Sequence, residues 1–377
     1  MGKCVRCGTS SVTISKTIGL CRKCLVEMPR DEVLSLATKI HSAIRRYCGL
    51  TPSVPRGPGA KCSLCINECS VPVGGTGFCC YWINDRGTLR PLFGFEKLFL
   101  EYYLDPLPTN CVATPVCPAA TGRGYPRFAA RNGPEVGYYN LAVFLSACNL
   151  DCLFCQNYVY KHALSSRRSD FVHDIEELAR VVRDPRITCV CYFGGDPTPF
   201  APQIIKLSRR ILEDCRGSLK RICWETNGLV HPTLMERMAE LSLESGGIVK
   251  IDWKCYDPKV YTILTGVDGW KAVDRVKKNV ELVAKLAKHR PEIPLLVVST
   301  LLVPGYVDVE DVGMIARFLA SIDSSIPYIL LAFHPDHYLR DLPPTSRRHA
   351  EEAVKVAREE GLDNVYLENT WLLGDYY

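Results

Sequence analysis

The chain contains 377 residues with a formal net charge of +5, and 47% of its residues are hydrophobic. This length supports a substantial buried core, arranged as one large domain with an appendage or as two to three units. The modest positive charge permits a nucleic-acid partner without indicating one, and no run of about 18 apolar residues predicts a membrane span. The chain has twenty cysteines, many of them in close pairs, and its N-terminus has no apolar signal-peptide core. These features favour metal ligation in a reducing cytoplasm over the disulfides of a secreted protein.

Residues 1–48 form a predicted metal module. Two Cys-x-x-Cys pairs have the spacing of a zinc ribbon, in which four thiolates bind one tetrahedral ion. About 30 residues cannot bury a sufficient core alone, so we expect the metal to hold this appendage together. Asp31 is the predicted cap of a helix that runs to about Tyr47, and residues 49–61, rich in Pro and Gly, are a predicted linker. The predicted zinc ligands are Cys4, Cys7, Cys21 and Cys24.

Residues 62–137 form a second cysteine-rich region with no clear periodic pattern after its first cysteines. Four thiolates there can bind zinc or a second iron–sulfur cluster, and the spacing does not separate the two. Cys111 and Cys117 could join either metal site, or pair as a disulfide if the organism is hyperthermophilic. The predicted ligands of the second site are Cys62, Cys65, Cys69 and Cys79 or Cys80.

Residues 138–377 alternate between short apolar runs and amphipathic stretches. Six strands, each followed by a helix, predict an α/β fold, either a partial (β/α)6 barrel of the TIM type or a doubly wound sheet. The predicted strands are 141–146, 187–193, 220–224, 247–252, 295–302 and 328–333. The predicted helices are 175–183, 202–215, 232–243, 271–288, 309–320 and 345–360. The remaining cysteines are expected to be small buried hydrophobes; they are Cys48, Cys189, Cys191, Cys215, Cys223 and Cys255, of which only Cys255 is expected near the site.

A cysteine triad follows the first of these strands, at the end where barrels carry their functional loops. Its members are Cys148, Cys152 and Cys155. Three thiolates can hold one iron–sulfur cluster from a single loop, and because a cubane has four irons, one iron is left without a protein ligand. Such a cluster can bind and reduce a small molecule. A zinc site is the alternative for three cysteines taken alone.

With Phe154 before its last cysteine, this motif resembles that of the radical S-adenosylmethionine (SAM) superfamily. The resemblance implies that SAM chelates the open iron of a 4Fe-4S cluster. One electron then cleaves SAM to methionine and a 5′-deoxyadenosyl radical, which abstracts hydrogen from the substrate. Gly194-Gly195-Asp196-Pro197, after the second strand, resembles the Gly-Gly-Glu-Pro motif with which the family binds the amino group of SAM. Here Asp196 replaces the more frequent glutamate.

Later strand ends resemble the activating enzyme of pyruvate formate-lyase and, more closely, the radical SAM enzymes of the AmmeMemoRadiSam system, over roughly residues 62–370. Glu225-Thr226-Asn227-Gly228 and the pair Asp252 and Lys254 match motifs that line the SAM pocket in those enzymes, while Ser299 stands where they have an arginine. Lys254 and His334 are the candidate catalytic residues. The residues implied to bind SAM are Phe154, Gly194, Gly195, Asp196, Glu225, Thr226, Asn227, Asp252, Lys254, Thr300 and Val303.

The leading hypothesis is a radical SAM enzyme that abstracts hydrogen from a macromolecule, because two appended metal modules exceed what a small metabolite needs. Protein is favoured over RNA because of the resemblance to activating enzymes. The alternatives are a radical SAM enzyme that modifies tRNA or other RNA, and a cobalamin-dependent radical methyltransferase. The second ranks lower because the chain lacks an Asp-x-His-x-x-Gly cobalamin signature. An iron–sulfur or zinc scaffold that senses redox state is the non-enzymatic alternative. We expect a low-potential electron donor such as ferredoxin or flavodoxin as a partner.

Overall fold

A computed structural model describes residues 1–377, and its first part contains the predicted N-terminal module. The left-handed backbone of Gly8 (φ +78°) and Gly19 (φ +71°) makes the two tight turns of this module. The predicted helix is present, but the cap at Asp31 is wrong, because Pro29 supplies the extended residue that starts the helix and Asp31 lies in its first turn. The elements are β1 (Gly2–Lys3), β2 (Ser10–Ser11), α1 (Arg22–Val26) and α2 (Arg30–Tyr47).

Two short antiparallel hairpins follow and carry the second cysteine group. Their elements are β3 (Ala60–Lys61), β4 (Ser70–Val71), β5 (Trp82–Asp85) and β6 (Thr88–Pro91). This region docks onto the rest of the chain through backbone pairing: Cys65 forms an isolated bridge with Val230, and the Ile66 N–H donates to the carbonyl of Leu229 at 3.3 Å. The second cysteine group is therefore fixed beside the strand ends described below.

One nine-stranded sheet forms the body of the molecule, in the order β9-β7-β8-β10-β11-β12-β13-β14-β15. From β8 to β15 all neighbouring strands are parallel, whereas β7 pairs antiparallel with both β8 and β9. The strands are β7 (Lys97–Pro106), β8 (Tyr139–Leu145), β9 (Val172–Asp174), β10 (Ile187–Gly194), β11 (Arg221–Thr226), β12 (Val249–Asp252), β13 (Leu296–Leu302), β14 (Tyr328–Ala332) and β15 (Val365–Glu368).

Helices connect the parallel strands, as the βαβ pattern predicts. They are α4 (Val159–Ser165), α5 (Ile175–Val181), α6 (Ala201–Asp214), α7 (Pro232–Ser245), α8 (Pro258–Thr265), α9 (Gly269–Ala287), α10 (Val309–Ile322) and α11 (Arg347–Glu359). The short helix α3 (Pro118–Thr121) lies instead between the antiparallel strands β7 and β8. All six predicted strands and their following helices are present, so the predicted α/β fold with a parallel sheet is confirmed. None of the helices has the combination of length and apolar character needed to cross a membrane.

The sheet extends beyond the predicted boundary at residue 138, because β7 joins its edge. Residues 107–137, between β7 and β8, then fill the inner, concave side of the sheet, which we call the lumen. We call residues 107–137 the plug. Its residues Ala113 and Val116 pack against the buried residues Val297 of β13 and Ile329 of β14. The plug also supplies Glu135, which pairs with Arg221 at the start of β11. Sequence periodicity could not reveal this segment, since its only helix has four residues.

Candidate active site

A cavity of about 210 Å³ lies at the carboxyl ends of the parallel strands. Parallel strands bring the ends of several chain segments together there, which is where open α/β sheets bind ligands. Three thiols of the predicted cluster motif form part of its wall. The predicted site residues that line it are Cys148, Cys152, Phe154, Cys155, Gly194, Gly195, Asp196, Glu225, Thr226, Asn227, Asp252 and Lys254.

The loop that carries the cysteine triad is held by one buried carboxylate, Asp151. Its oxygens accept hydrogen bonds from Lys161 Nζ at 2.6 Å and His41 Nδ1 at 2.9 Å, and Arg45 Nη1 lies at 3.5 Å. Burial alone would raise the pKa of Asp151, but the bond from His41 and the charges of Lys161 and Arg45 outweigh it and hold the pKa well below its usual range. Helix α2 of the N-terminal module thus positions the cluster loop.

Asn149, inside the triad, joins three parts of the chain. Its backbone carbonyl accepts from Asn67 Nδ2 of the second cysteine region at 2.8 Å, and its side-chain oxygen accepts from Asn227 Nδ2, also at 2.8 Å. All three side chains are buried. Because neutral hydrogen bonds in a buried setting fix geometry without adding charge, this arrangement positions the loop against β11 and against the second cysteine group.

The Gly194-Gly195-Asp196 segment packs tightly on the triad strand. A Cβ at Gly195 would lie 2.3 Å from the carbonyl oxygen of Ala147, so no side chain fits. Asp196 accepts from the backbone N–H groups of Thr198 at 2.8 Å and Asn227 at 2.7 Å, and from the Thr226 hydroxyl. Burial raises its pKa, and these bonds partly offset the effect. The glycines therefore allow two backbone segments to pack closely. Asp196 connects the Gly194-Gly195-Asp196 segment to the Thr226-Asn227 segment at the cavity wall.

Two acid–lysine pairs also line the cavity. Lys250 Nζ donates to Glu225 Oε1 at 2.7 Å, and Lys254 pairs with Asp252 Oδ2 while its ammonium group lies 5.6 Å from the ring centroid of Phe154. Burial alone would lower the pKa of Lys254, but the charge of Asp252 raises it. The second oxygen of Asp252 is buried without a hydrogen-bond partner. It remains free to accept a hydrogen bond from a ligand.

Three predicted site residues do not line the cavity. Thr300 and Val303 are buried, and Thr300 donates to the carbonyl of Trp253 at 3.0 Å. Strand alternation explains the position of Thr300, because Ser299 and Leu301 of β13 face the cavity and Thr300 faces the other side, whereas Val303 lies beyond the end of β13 at Leu302. His334 is exposed. His337 does not line the cavity either, but it contacts the Asp151 network, because its Nε2 accepts from Lys161 Nζ at 3.1 Å. Burial and the charge of Lys161 lower the pKa of His337 to about 3.

Several residues of the site were not predicted from the sequence. Lys250 lies two residues before Asp252 on β12, and the two-residue period of a strand could have placed both on one face. Arg45, His41 and Lys161 carry no local signal of their own, because they meet Asp151 only through the packing of α2 and α4 on the cluster loop. Cys255, suspected near the site, is buried and donates to Asp311 Oδ1 at 3.1 Å, away from the cavity.

The four cysteines of the N-terminal module have their sulfurs within 4.8 Å of one another, and Cys7 Sγ lies 3.8 Å from Cys21 Sγ. Tetrahedral zinc with Zn–S bonds of about 2.3 Å places its sulfurs roughly 3.8 Å apart. The geometry thus suits a single tetrahedral ion. This module packs over the same end of the barrel as the cavity: Tyr306, after β13, donates to the carbonyl of Leu20 at 3.0 Å, and Asp341 accepts from the Lys16 N–H at 2.6 Å.

Comparison with known proteins agrees with this site. Residues 143–319 match the family model described as the radical SAM superfamily. An uncharacterised protein of Methanocaldococcus jannaschii is 25% identical over 312 residues, which cover 82% of this chain and 81% of that protein. A second protein of that organism, provisionally named as a glycyl-radical enzyme activating enzyme, is 23% identical over 49% of this chain and 64% of its own length. The crystal structure of Streptococcus suis SuiB bound to S-adenosylmethionine has a TM-score of 0.43 and 17% identity, covering 60% of this chain and 49% of SuiB.

The chain therefore carries a radical SAM domain, as predicted, and is a radical SAM enzyme. The family uses a 4Fe-4S cluster and SAM. All three triad cysteines and the strands that shape the cavity wall from β10 to β13 lie within the matched residues.

Proposed function

We propose that this radical SAM enzyme abstracts hydrogen from a protein substrate, which binds as an extended segment along the free edge of β7. The observation that carries this proposal is the edge itself. Residues 100–106 of β7 pair with β8 on one side, while β9 covers only residues 97–99 on the other. An unpaired strand edge offers a row of backbone donors and acceptors to an extended peptide.

This edge lies beside the opening of the lumen. Tyr103 and Asp105 line a second cavity that shares Glu225 and Lys250 with the SAM cavity, and Tyr103 is 52% exposed. Side chains alternate along a strand, so a peptide paired with β7 would direct every second side chain towards the lumen. The relative provisionally named as a glycyl-radical enzyme activating enzyme supports the same class of substrate.

The residues at the cavity fit the cluster and SAM. Cys148, Cys152 and Cys155 are soft thiol ligands on one wall and would hold the cluster through three of its irons. Burial raises the pKa of each thiol, so metal binding must release their protons. The partnerless oxygen of Asp252 would accept from SAM, while Asp196 keeps the Gly194–Asn227 wall in place. When bound, the cluster passes the electron that cleaves SAM, which a low-potential donor such as ferredoxin or flavodoxin would supply.

Deuterium transfer tests the protein substrate. The full chain, reconstituted anaerobically with iron and sulfide, is given SAM, dithionite and the macromolecular fraction of deuterium-grown cells of the source organism. We expect deuterium in the 5′-deoxyadenosine product, lost when the fraction is first treated with protease and kept after ribonuclease. Deuterium transfer that survives protease and is lost after ribonuclease would establish the RNA-modifying alternative instead. A Cys148→Ala/Cys152→Ala/Cys155→Ala variant is the control for background cleavage.

We also propose that the N-terminal module binds zinc and that the second cysteine group binds an iron–sulfur cluster. Cys65, Cys69, Cys79 and Cys62 lie near enough for their charges to interact, but only the N-terminal group has all its sulfurs within 4.8 Å. Thiolates on different irons lie further apart than those on one ion, which favours a cluster at the second group. Counting the metals in purified protein tests both assignments. We expect about one zinc per chain, which Cys7→Ser should lose. Cys65→Ser should lose iron and keep the zinc.

A further inference from the structure

Tyr261 of α8 is a fully buried tyrosine whose hydroxyl has no hydrogen-bond partner. Other fully buried tyrosines of the sheet body differ in this respect. The hydroxyl of Tyr328 donates to Thr300 Oγ1 at 2.9 Å, and the hydroxyl of Tyr192 accepts from Ser208 Oγ at 3.0 Å. Because burying a hydroxyl without a hydrogen bond is costly, the Tyr261 hydroxyl is an unused donor that calls for an explanation.

The helix that carries Tyr261 is attached to the loop of the cysteine triad. The backbone N–H groups on both sides of Cys152 donate to carbonyls in the last turn of α8, each at 2.9 Å. They are the N–H of Asp151, which bonds to Thr265, and the N–H of Leu153, which bonds to Leu264. Cys152 is thus held against the end of α8, and Tyr261 lies one turn earlier in the same helix.

The charges that act on the Tyr261 hydroxyl come from the wall of the SAM cavity. Burial raises the pKa of Tyr261 well above its usual value, and negative charge at Cys152 and Asp252 raises it further. Both of these residues line the cavity, whereas Tyr261 does not. The hydroxyl therefore keeps its proton, and it lies next to a predicted cluster ligand without contacting the space for SAM.

Metal binding turns Cys152 into the acceptor that this hydroxyl lacks. A neutral thiol is a weak acceptor, whereas a thiolate ligand carries negative charge and accepts strongly. The nearby carboxylates have other partners. Asp196 already accepts from two backbone N–H groups and a hydroxyl, and Asp252 Oδ2 is paired with Lys254. The other oxygen of Asp252 is the one that the proposed function assigns to SAM.

We propose that the Tyr261 hydroxyl donates a hydrogen bond to the Cys152 thiolate when the triad holds its cluster, and that this bond raises the reduction potential of the cluster. Hydrogen bonds to the sulfurs stabilise the reduced state, which carries more negative charge. Reduction by the low-potential donor thereby becomes more favourable. The inference rests on the cluster that the proposed function places at Cys148, Cys152 and Cys155, which we call the triad cluster.

Urea unfolding of the metal-free full chain tests whether the hydroxyl lacks a partner within the protein. Tyr261→Phe removes an unsatisfied polar group, so we expect the urea concentration at the unfolding midpoint to equal the wild-type value or exceed it. Tyr328→Phe, which removes a hydroxyl with a partner, is the matched control and should lower the midpoint. A decrease in Tyr261→Phe as large as that in Tyr328→Phe would overturn the proposal, because the hydroxyl would then have a partner without the cluster.

Electron paramagnetic resonance of the reconstituted full chain, reduced without SAM, tests the bond to sulfur. The triad signal is the one that the Cys148→Ala/Cys152→Ala/Cys155→Ala variant lacks, so this variant checks the triad cluster separately from the inference. Tyr261→Phe should keep its iron, and the midpoint potential of the triad signal should shift to a lower value. Tyr328→Phe should leave that potential at the wild-type value.

Electron–nuclear double resonance of the same signal after transfer to D₂O detects the hydroxyl proton directly. Tyr261→Phe should lose one exchangeable deuteron coupling. The N–H of Leu150, which donates to Cys148 Sγ at 3.4 Å, should keep its coupling and serves as the internal reference. An unchanged potential with full iron content would overturn the proposal. A shift that appears only after SAM is added would also overturn it, because the hydroxyl would then act on SAM and not on Cys152.

Discussion

The two ends of the lumen each contain a fully buried carboxylate, and their surroundings differ. At the carboxyl end of the strands, Asp151 contacts two basic side chains, Lys161 and Arg45. At the amino end, Glu135 contacts one, Arg221, with the shorter bond at 2.5 Å. All five side chains are at most 2% exposed. One end is thus a balanced ion pair, while the other carries more positive than negative charge.

A buried charge without compensation is costly, so the surplus at the Asp151 end needs an anionic neighbour. The triad thiols are that neighbour, because they become thiolates when they bind iron. The Glu135 end needs none, since the carboxylate and the guanidinium neutralise each other. Glu135 and Arg221 therefore form a structural ion pair, whereas the cations around Asp151 favour the thiolates of the triad. The variants below test this distinction.

Removing the Asp151 charge should have the largest effect. Asp151→Asn keeps the shape but leaves Lys161 and Arg45 buried with too little negative charge, and breaking a buried pair costs about 3–5 kcal/mol. We expect a loss of that size in urea unfolding of the metal-free protein, and iron loss at the triad after reconstitution. Asp170→Asn, which breaks an exposed pair with Arg168, is the control and should change neither. Full iron occupancy in Asp151→Asn would show that the loop does not depend on this carboxylate.

Removing the charge of Glu135 should destabilise the fold but leave the triad cluster in place. Glu135→Gln keeps a hydrogen bond to Arg221 but leaves the charge of Arg221 unpaired. We therefore expect the free energy of unfolding to fall by about 3 kcal/mol at pH 7. Iron at the triad should remain at the wild-type level. If Glu135→Gln removed triad iron as Asp151→Asn does, the two ends would not be distinct in function.

The same variant has a defined pH dependence. Burial alone would raise the pKa of Glu135, but its hydrogen bond and charge interaction with Arg221 lower it below the usual value. A lowered pKa gives stability that is fully present above the unfolded value of about 4.3 and is lost as the pH falls towards the folded value. The difference between wild type and Glu135→Gln in the metal-free protein should therefore be constant near neutral pH and shrink below about pH 4.3. A difference independent of pH would contradict the pairing.

The parallel strands could be predicted because each is a short apolar run followed by an amphipathic helix. Two other elements, β7 and the plug, could not be predicted from the sequence. β7 has exposed and buried residues in no regular order, since one of its edges is free and its register is set by β8. The plug has no period because its shape is dictated by the lumen that it fills.

The site divides in the same way. The triad and the Gly-Gly-Asp segment could be predicted because each is contiguous in sequence. The Asp151 network could not, since α2 lies more than 100 residues from its partner. Thr300 follows a motif match but not the alternation of β13, which places Ser299 and Leu301 in the cavity, and Val303 lies past the end of that strand. A motif identifies a strand end, and the strand's period decides which of its residues reach the ligand.

The smallest expected effect comes from removing one surplus charge while the carboxylate stays paired. In Arg45→Met, Asp151 keeps Lys161 and His41, so the loop and its iron should remain. Less positive charge near a cluster makes the added electron less favourable, and the potential should fall by an amount on the order of 1 kcal/mol at an effective dielectric of about 20. A redox titration followed by electron paramagnetic resonance measures this, with the exposed neighbour Arg46→Met as the matched control. An equal shift in both variants would mean that overall charge, and not the buried surplus at Asp151, sets the potential.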